Sequence, residues 1–238
     1  MTKNPFVWLG SKRAAKRGVG EKASLLDFAA KMSLPVPAGA VLLDEFYQLV
    51  LEAEIIYMEN GRFYTHDPSE LYDALYTAVH FPKLDKPTII RTAFSGIDED
   101  HFPTAIKQNV NLLDAPQLAN SLCELWSLIS SKQETGRRDL LIQEMLSPQL
   151  IGVAQISEST QLDQVLLAKI HDQQTVKDSY QLPKLTKWQR SSDELPSFAQ
   201  RLQKLLRGIR NAFGTGNRQI EWMDDGKVCW LLQIKEIG

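Results

Sequence analysis

The amino-acid sequence predicts an α+β protein built as two lobes, and two observations predict it. Through roughly the first 135 residues apolar side chains recur mainly at helical spacing, whereas the remainder is dominated by short runs of strand type. A chain of 238 residues is also long enough to bury a sizeable core, in one compact domain or in two lobes that share a cleft. The division is expected near residue 140, giving a helix-rich lobe over 1–140 and a sheet-rich lobe over 141–238.

The elements follow in order. Residues 6–9 read as a short opening strand. Between Lys22 and Met32, the residues Leu25, Phe28, Ala29 and Met32 fall at helical spacing. Leu34-Pro35-Val36-Pro37 stops that helix, because proline lacks the amide donor and disfavours helix before it. Residues 40–43 read as a strand, and Asp44 is placed to cap a helix carrying Phe46, Leu49 and Val50. Asp67-Pro68-Ser69-Glu70 combines an N-cap, a first-turn proline and a capping-box glutamate, and starts a helix lined by Leu71, Leu75 and Val79. Residues 88–91 have a buried-strand pattern. A further helix follows Asp114, with Leu118, Leu122, Leu125, Trp126 and Ile129 along one side. Residues 140–146, 151–156 and 165–170 then read as strands, and the polar stretch 172–194 as a loop or flap. Residues 196–213 form an amphipathic helix whose buried stripe is Phe198, Leu202, Leu205, Leu206 and Ile209. Gly214-Thr215-Gly216 ends it, and two strands flank Asp224-Asp225-Gly226.

Composition excludes several classes of function. Hydrophobic residues make up 43% and charged residues 24%, ordinary values for a globular protein. A net charge of -2 supplies no field that would recruit nucleic acid or an anionic membrane. No apolar run approaches the roughly 18–20 residues that span a bilayer, and the first residues lack the apolar stretch of a signal peptide. Cys123 and Cys229 are far apart and without metal-ligand spacing, which fits a reducing cytosol. The histidines at 66, 80, 101 and 171 form no spaced cluster, so no structural zinc is expected.

The first segment that carries chemistry is Val19-Gly20-Glu21-Lys22, ahead of a helix. A glycine there lets backbone amides approach a phosphate, the helix N-terminus favours negative charge, and lysine adds a point charge. The same residues also suit an ordinary solvated helix start. The longer stretch is more specific. Gly20-Glu21-Lys22-Ala23-Ser24-Leu25-Leu26, followed by Leu34-Pro35-Val36-Pro37-Ala38-Gly39, resembles the opening of the phosphoenolpyruvate synthase and pyruvate phosphate dikinase family. That opening runs Gly-Gly-Lys-x-Ala-Ser-Leu and then Leu-Pro-Val-Pro-x-Gly.

Further blocks come in the family's order. Ile90-Arg91-Thr92-Ala93 is similar to its Val-Arg-Ser-Ser. Ile142-Gln143-Glu144-Met145, with Gly152-Val153-Ala154, is similar to the strand pair beside its adenine pocket. Ile220-Glu221-Trp222 and Leu232-Gln233-Ile234-Lys235 match its closing Ile-Glu-Trp and Leu-Gln-Ala-Arg. The resemblance implies an ATP-grasp fold with a nucleotide cleft between the lobes, and ATP and Mg2+ as cofactors. It implies that Lys22 and Arg91 hold phosphates and that Gln143, Glu144 and Met145 line the nucleotide. Glu221 and Gln233 would bind magnesium, while Lys235 would help neutralise charge. Lys22, Arg91 and Lys235 are the catalytic residues it implies.

The last block can also be read from strand geometry alone, since side chains alternate faces and loop length sets hairpin register. A two-residue Asp225-Gly226 turn would place Glu221 and Gln233 on opposite faces. A three-residue Asp224-Asp225-Gly226 loop with glycine left-handed is the other common solution. It gathers Ile220, Trp222, Val228, Trp230, Leu232 and Ile234 on one face, and Glu221, Gln233 and Lys235 on the other. This cleaner partition is the one expected, and it suits a hard cation held by oxygen ligands. An amphipathic hairpin with a wet face has the same pattern.

The chain departs from the family at Glu21, which replaces a glycine, and at residues 94–104, which lack the family's Gly-Gln-x-Glu loop. Its Gly-Leu-Gly-Glu segment has no counterpart in 165–180, and Lys235 stands where it has arginine, without bidentate phosphate geometry. None of the histidines sits in the Thr-Ser-His context of the family's swivelling domain. Three functional readings follow. One is an ATP-dependent phosphotransferase component acting on a histidine of a separate swivelling domain or partner protein, or on a small hydroxyl compound. Another is a degenerate, non-catalytic module that binds nucleotide or a protein. The third keeps the fold with no nucleotide bound, as a scaffold. A cytoplasmic location with no nucleic-acid or membrane partner is expected.

Overall fold

Two apolar runs distant in sequence, 39–42 and 140–144, meet in the structure as neighbouring strands. The computed structural model describes residues 4–94, 105–128, 136–171, 174–186 and 188–237, with the backbone alone for 168–171 and 174–177. The chain divides into two units, one comprising residues 1–24 and 38–145 and the other 25–37 and 146–238. Helix α1 (Glu21–Lys31) therefore starts in the first and continues in the second.

The first unit holds β1 (Phe6–Trp8), β2 (Gly39–Leu42), α2 (Asp44–Glu52), β3 (Ile56–Glu59), β4 (Arg62–Thr65) and α3 (Pro68–Asp73). It continues through β5 (Thr88–Thr92), β6 (Ile106–Val110), α4 (Ala115–Trp126) and β7 (Leu140–Glu144). Five of these strands make an antiparallel sheet in the order β1-β2-β7-β5-β6. The core packed with it includes Phe46, Leu71, Leu75, Ile90, Leu118, Leu122, Trp126 and Ile142, all essentially inaccessible to water. Helices α3 and α4 begin as their sequences dictate. The Asp67 carboxylate accepts from the Ser69 amide at 2.8 Å, and that of Asp114 from the Gln117 amide at 2.9 Å. Asp44 does not cap α2 as expected. It is the first helical residue, after the N-cap Leu43, and its carboxylate accepts from the Arg138 amide at 2.8 Å.

The second unit holds β8 (Leu150–Ile156), β9 (Leu162–His171), β10 (Gln174–Pro183), α5 (Ser197–Phe213), β11 (Arg218–Asp224) and β12 (Cys229–Glu236). Its sheet is antiparallel throughout, in the order β10-β9-β8-β11-β12. Helix α5 buries Leu202, Leu205, Leu206 and Ile209, and its Phe198 ring lies parallel to Trp222 with centroids 6.4 Å apart. Three polar contacts fix it. Arg201 forms two 2.7 Å bonds to Asp224 of β11, Arg210 binds Asp163 of β9 at 2.8 and 3.0 Å, and Gln203 donates to the Pro183 carbonyl of β10 at 2.8 Å. Asp163 and Asp224 are each 1% exposed, so these are buried charges satisfied by paired geometry.

The expected α+β class is what the structure has, with three differences in detail. Residues 140–144 belong to the centre of the first sheet, between β2 and β5, and not to the second sheet as expected. The segment 172–194 is not a loop throughout, because residues 174–183 are the outermost strand of the second sheet. Strand propensity is weak in such polar sequence, and pairing with β9 supplies what propensity does not. The Asn60-Gly61 turn, with φ of 49° and 77°, joins β3 to β4 as a tight hairpin that was not foreseen. Ile129, placed on the α4 stripe from the sequence, lies outside the described residues.

Gly39, in the Pro-Val-Pro-Ala-Gly segment, has no room for a side chain. A Cβ there would sit 2.2 Å from the Ile142 carbonyl oxygen and 2.9 Å from Gln143 Cα. Gly39→Ala should therefore force β2 away from β7 and lower stability by about 1–3 kcal/mol or more, as overpacking does. The urea midpoint measures this, and an unchanged midpoint would show that β2 and β7 are not this close.

Candidate functional site

In the first unit the expected phosphate-contacting segments are brought together. A Cβ at Gly20, just ahead of α1, would lie 2.8 Å from the Phe94 carbonyl oxygen and 2.9 Å from that of Ala93. The loop leading to Lys22 therefore packs on the chain that leaves β5 immediately after Arg91. Lys22 is the second residue of α1 and Arg91 the fourth of β5, and both are partly buried. The glycine at 20 is needed for this backbone approach, whatever the loop binds. Glu21, in the place of the family's glycine, is exposed. Gln143 is 2% exposed and sits between Gly39 and Ile89 of the neighbouring strands. Glu144 pairs with Lys86 at 2.9 Å, and the Met145 amide donates to the Pro87 carbonyl at 2.8 Å.

A charge network supports this part of the unit. Arg137 makes two bonds to Asp139, at 2.9 and 3.0 Å, and reaches Glu45 at 2.8 Å. Arg17 reaches the other Glu45 oxygen at 2.9 Å. The Asp139 carboxylate also accepts from the Asp44 amide, and its carbonyl accepts from the Ala93 amide. The network therefore ties the chain before Gly20, the start of α2 and the segment after Arg91 to β7. Burial pushes the Asp139 carboxyl up, against the pull of Arg137. For Glu45, burial also acts upward, but the bonds from Arg17 and Arg137 outweigh it and hold the carboxyl below its usual value.

In the second unit the expected magnesium ligands face each other. Glu221 of β11 is the direct cross-strand partner of Gln233 of β12, and Gln219 that of Lys235. Directly opposed side chains share a face with Cβ atoms about 4.5–5.5 Å apart. The route to this register differs from the expected three-residue loop. Asp225 and Val228 are bridged by a hydrogen bond, leaving Gly226-Lys227 as a two-residue turn with Gly226 at φ 90°. The register then shifts between Glu221 and Trp222, where β12 carries one extra residue, Leu232. As a result Cys229 and Leu231 join Ile220, Trp222 and Ile234 in the core. Trp230, expected there, is half-buried on the other face and donates from its ring nitrogen to Asp225 at 2.8 Å.

Glu221, Gln233 and Lys235 lie on the sheet face opposite α5. None of the three has a side-chain hydrogen bond or ion pair among the described residues, while the charges on the α5 face are paired. Glu221 and Gln233 offer two oxygen donors within reach of one hard cation, which fits magnesium that takes its remaining ligands from phosphate and water. Among the described residues no group of three or more His, Cys, Asp or Glu could hold a metal by itself. Two surface clefts in the first unit, of about 720 Å³ beside β4 and α4 and about 290 Å³ beside β1, contain none of the expected site residues. Gln219 shares the face of Glu221, as the alternation read from the sequence places it, although it was not singled out as a site residue.

No family model matches the chain, and no curated protein does. Solved structures similar to it include a D-alanine–D-alanine ligase from Bacillus anthracis complexed with ATP, at 12% identity, TM-score 0.49, and 90% of this chain against 53% of that one. An ATP-grasp RimK domain protein from Sphaerobacter thermophilus has 16% identity and TM-score 0.46, with 94% and 61% covered. The macrocyclase MdnC from Microcystis aeruginosa, bound with precursor peptide MdnA, has 13% identity and TM-score 0.44, with 96% and 55% covered. The chain thus spans between about half and three-fifths of the length of these structures.

Two predictions follow from this geometry. Trp222→Ala should cost about 3–5 kcal/mol through its cavity, while Trp230→Ala should cost less than half as much, having one hydrogen bond and a half-exposed ring to lose. Equal losses in urea unfolding would contradict the observed register. Glu45→Gln should lower stability near neutral pH by about 1 kcal/mol or less, since the carboxylate is partly solvated. Because the folded value lies below the free value of 4.5, the contribution is present above that pH and lost as pH falls through the folded value. The difference from wild type should therefore shrink in acid, as urea midpoints near pH 7 and below pH 4 would show.

Proposed function

We propose that this chain is a Mg-ATP-binding module of the ATP-grasp type that presents ATP for phosphoryl transfer. The single observation that carries the proposal is the direct opposition of Glu221 and Gln233 on the sheet face away from α5, with no side-chain hydrogen bond or ion pair among the described residues. In this reading those two residues hold magnesium, and Lys235, one row beyond the pair on the same face, neutralises phosphate charge. Lys22 and Arg91 bind phosphate, and Gln143, Glu144 and Met145 line the nucleotide, as the sequence resemblance to phosphoenolpyruvate synthases implies. Such a site accelerates transfer by positioning and electrostatic stabilisation, with no covalent role for the protein. The acceptor is a histidine on a separate swivelling domain, or a small hydroxyl compound. A cytoplasmic location goes with this reading. Among the described residues no helix is long and apolar enough to cross a membrane.

A second reading, nucleotide or protein binding without turnover, is favoured by two features. Glu21 puts a negative charge at the helix start where phosphate would approach, and the Glu144 carboxylate is already engaged by Lys86.

Thermal unfolding with Mg-ATP tests the proposal. At one hundred times the dissociation constant, binding to the native state alone adds about 2.7 kcal/mol. That corresponds to a rise in Tm of roughly 5–10 °C for a chain of this size. Glu221→Ala should abolish most of the rise while leaving the ligand-free Tm nearly unchanged, and Lys22→Ala should also abolish most of the rise. A flat Tm up to millimolar Mg-ATP sinks the nucleotide reading. A shift without turnover in the presence of acceptors supports the second reading.

A further inference from the structure

The face of the second sheet that carries Glu221 also carries a row of amides that the proposed nucleotide chemistry does not use. Gln181 pairs with Gln164, Gln164 with Gln155, Gln155 with Gln219, and Gln219 with Lys235. Four glutamines and one lysine therefore stand side by side across all five strands. Gln155, Gln164, Gln181 and Lys235 are exposed and Gln219 is half-buried. None of the four amides has a hydrogen-bond partner within the described structure. The next row along the strands is Ser179, Leu166, Val153, Glu221 and Gln233, with Leu166 56% exposed. Successive rows on one face are two residues apart, about 6.5–7 Å.

We propose that this amide row binds a neutral polyhydroxylated compound of the sugar class, and that this compound is the phosphoryl acceptor. The acceptor role rests on the Mg-ATP reading, and the binding surface does not. Each primary amide offers two donors and an acceptor without charge, which suits hydroxyl groups that also donate and accept. Strands are about 4.8 Å apart, close to the width of a pyranose ring, so a flat chain of rings laid across the strands meets one amide per ring. An extended peptide instead pairs with strand edges through its backbone. The exposed Leu166 and half-exposed Val153 supply an apolar strip for the faces of the rings. A hydroxyl held at Gln155 or Gln219 lies one row from the Glu221–Gln233 pair. Its oxygen would bond to the γ-phosphorus as the bond from that phosphorus to ADP breaks, with the hydroxyl proton passing to water.

The full chain is titrated with cellotriose in the absence of nucleotide, following the side-chain NH2 signals of the glutamines by 15N-edited NMR. Triglycine serves as the competing probe. Saturable shifts at Gln155, Gln164 and Gln219 are expected with cellotriose and not with triglycine. The double variant Gln155→Ala/Gln164→Ala should bind cellotriose at least tenfold more weakly, with an unchanged unfolding midpoint and unchanged Mg-ATP affinity. Absence of shifts, equal response to triglycine, or wild-type affinity in the double variant would overturn the binding surface while leaving the Mg-ATP reading intact. Cellotriose binding in a chain that does not bind Mg-ATP would overturn the acceptor role alone.

Discussion

The opposition of Glu221 and Gln233 depends on one extra residue in one strand. The two-residue turn at Gly226-Lys227 pairs Asp224 with Cys229 and Trp222 with Leu231. Continued without interruption, that register would set Leu232 opposite Glu221 and send Gln233 to the core face. The bulge at Leu232 advances β12 by one position, so the carboxylate and the amide meet on the same side. The turn itself is held by side chains. The Asp225 carboxylate accepts from the amides of Lys227 and Val228 and from the Trp230 ring, while Asp224 accepts from the Gly226 amide and is clamped by Arg201. A loosened turn would therefore move the Glu221–Gln233 pair as well as the strand end.

This explains what could be read in advance and what could not. The helix starts at Asp67 and Asp114 were legible because an N-cap is a local bargain between one carboxylate and amides two or three residues on. The grouping of Glu221 with Gln233 was legible through strand parity, although the loop inferred for it was not the one formed. An odd-length loop and an even-length turn plus a bulge give the same parity there, and differ only nearer the turn, at Cys229, Trp230 and Leu231. The sheet to which residues 140–144 belong was not legible, because strand pattern is local and strand partnership is not. It is settled by a contact across a hundred residues, the fit of Gly39 beneath Gln143. The hairpin at Asn60-Gly61 carried its signal openly and was overlooked, whereas β10 is polar sequence made into strand by its neighbour.

The residues that carry the family resemblance divide in the same way. Gly20 and Gly39 are required by carbonyl oxygens and a side chain of this chain itself. Pro35 turns its carbonyl to the Leu231 amide on the outer edge of β12. These positions would be kept for folding in a protein that binds no nucleotide. Glu221, Gln233 and Lys235 have no side-chain hydrogen bond or ion pair among the described residues, so substitutions there test the proposed chemistry with the least disturbance of the scaffold.

Charge is spent unevenly on the two faces of the second sheet. On the α5 side, Asp163 and Asp224 are buried and answered by arginines of the helix, because a buried carboxylate without a partner would cost several kcal/mol. On the other side, two full rows of residues carry only Glu221 and Lys235 as charges, and the rest are amides, one serine and apolar groups. A face meant only for solvation would gain more from interspersed charges of both signs. An uncharged hydrogen-bonding surface with one acid and one base near the same edge keeps its electrostatics local to that edge. Under the proposed reading, a cation or phosphate would be attracted to one place, and the amides beside it would remain available to a neutral ligand.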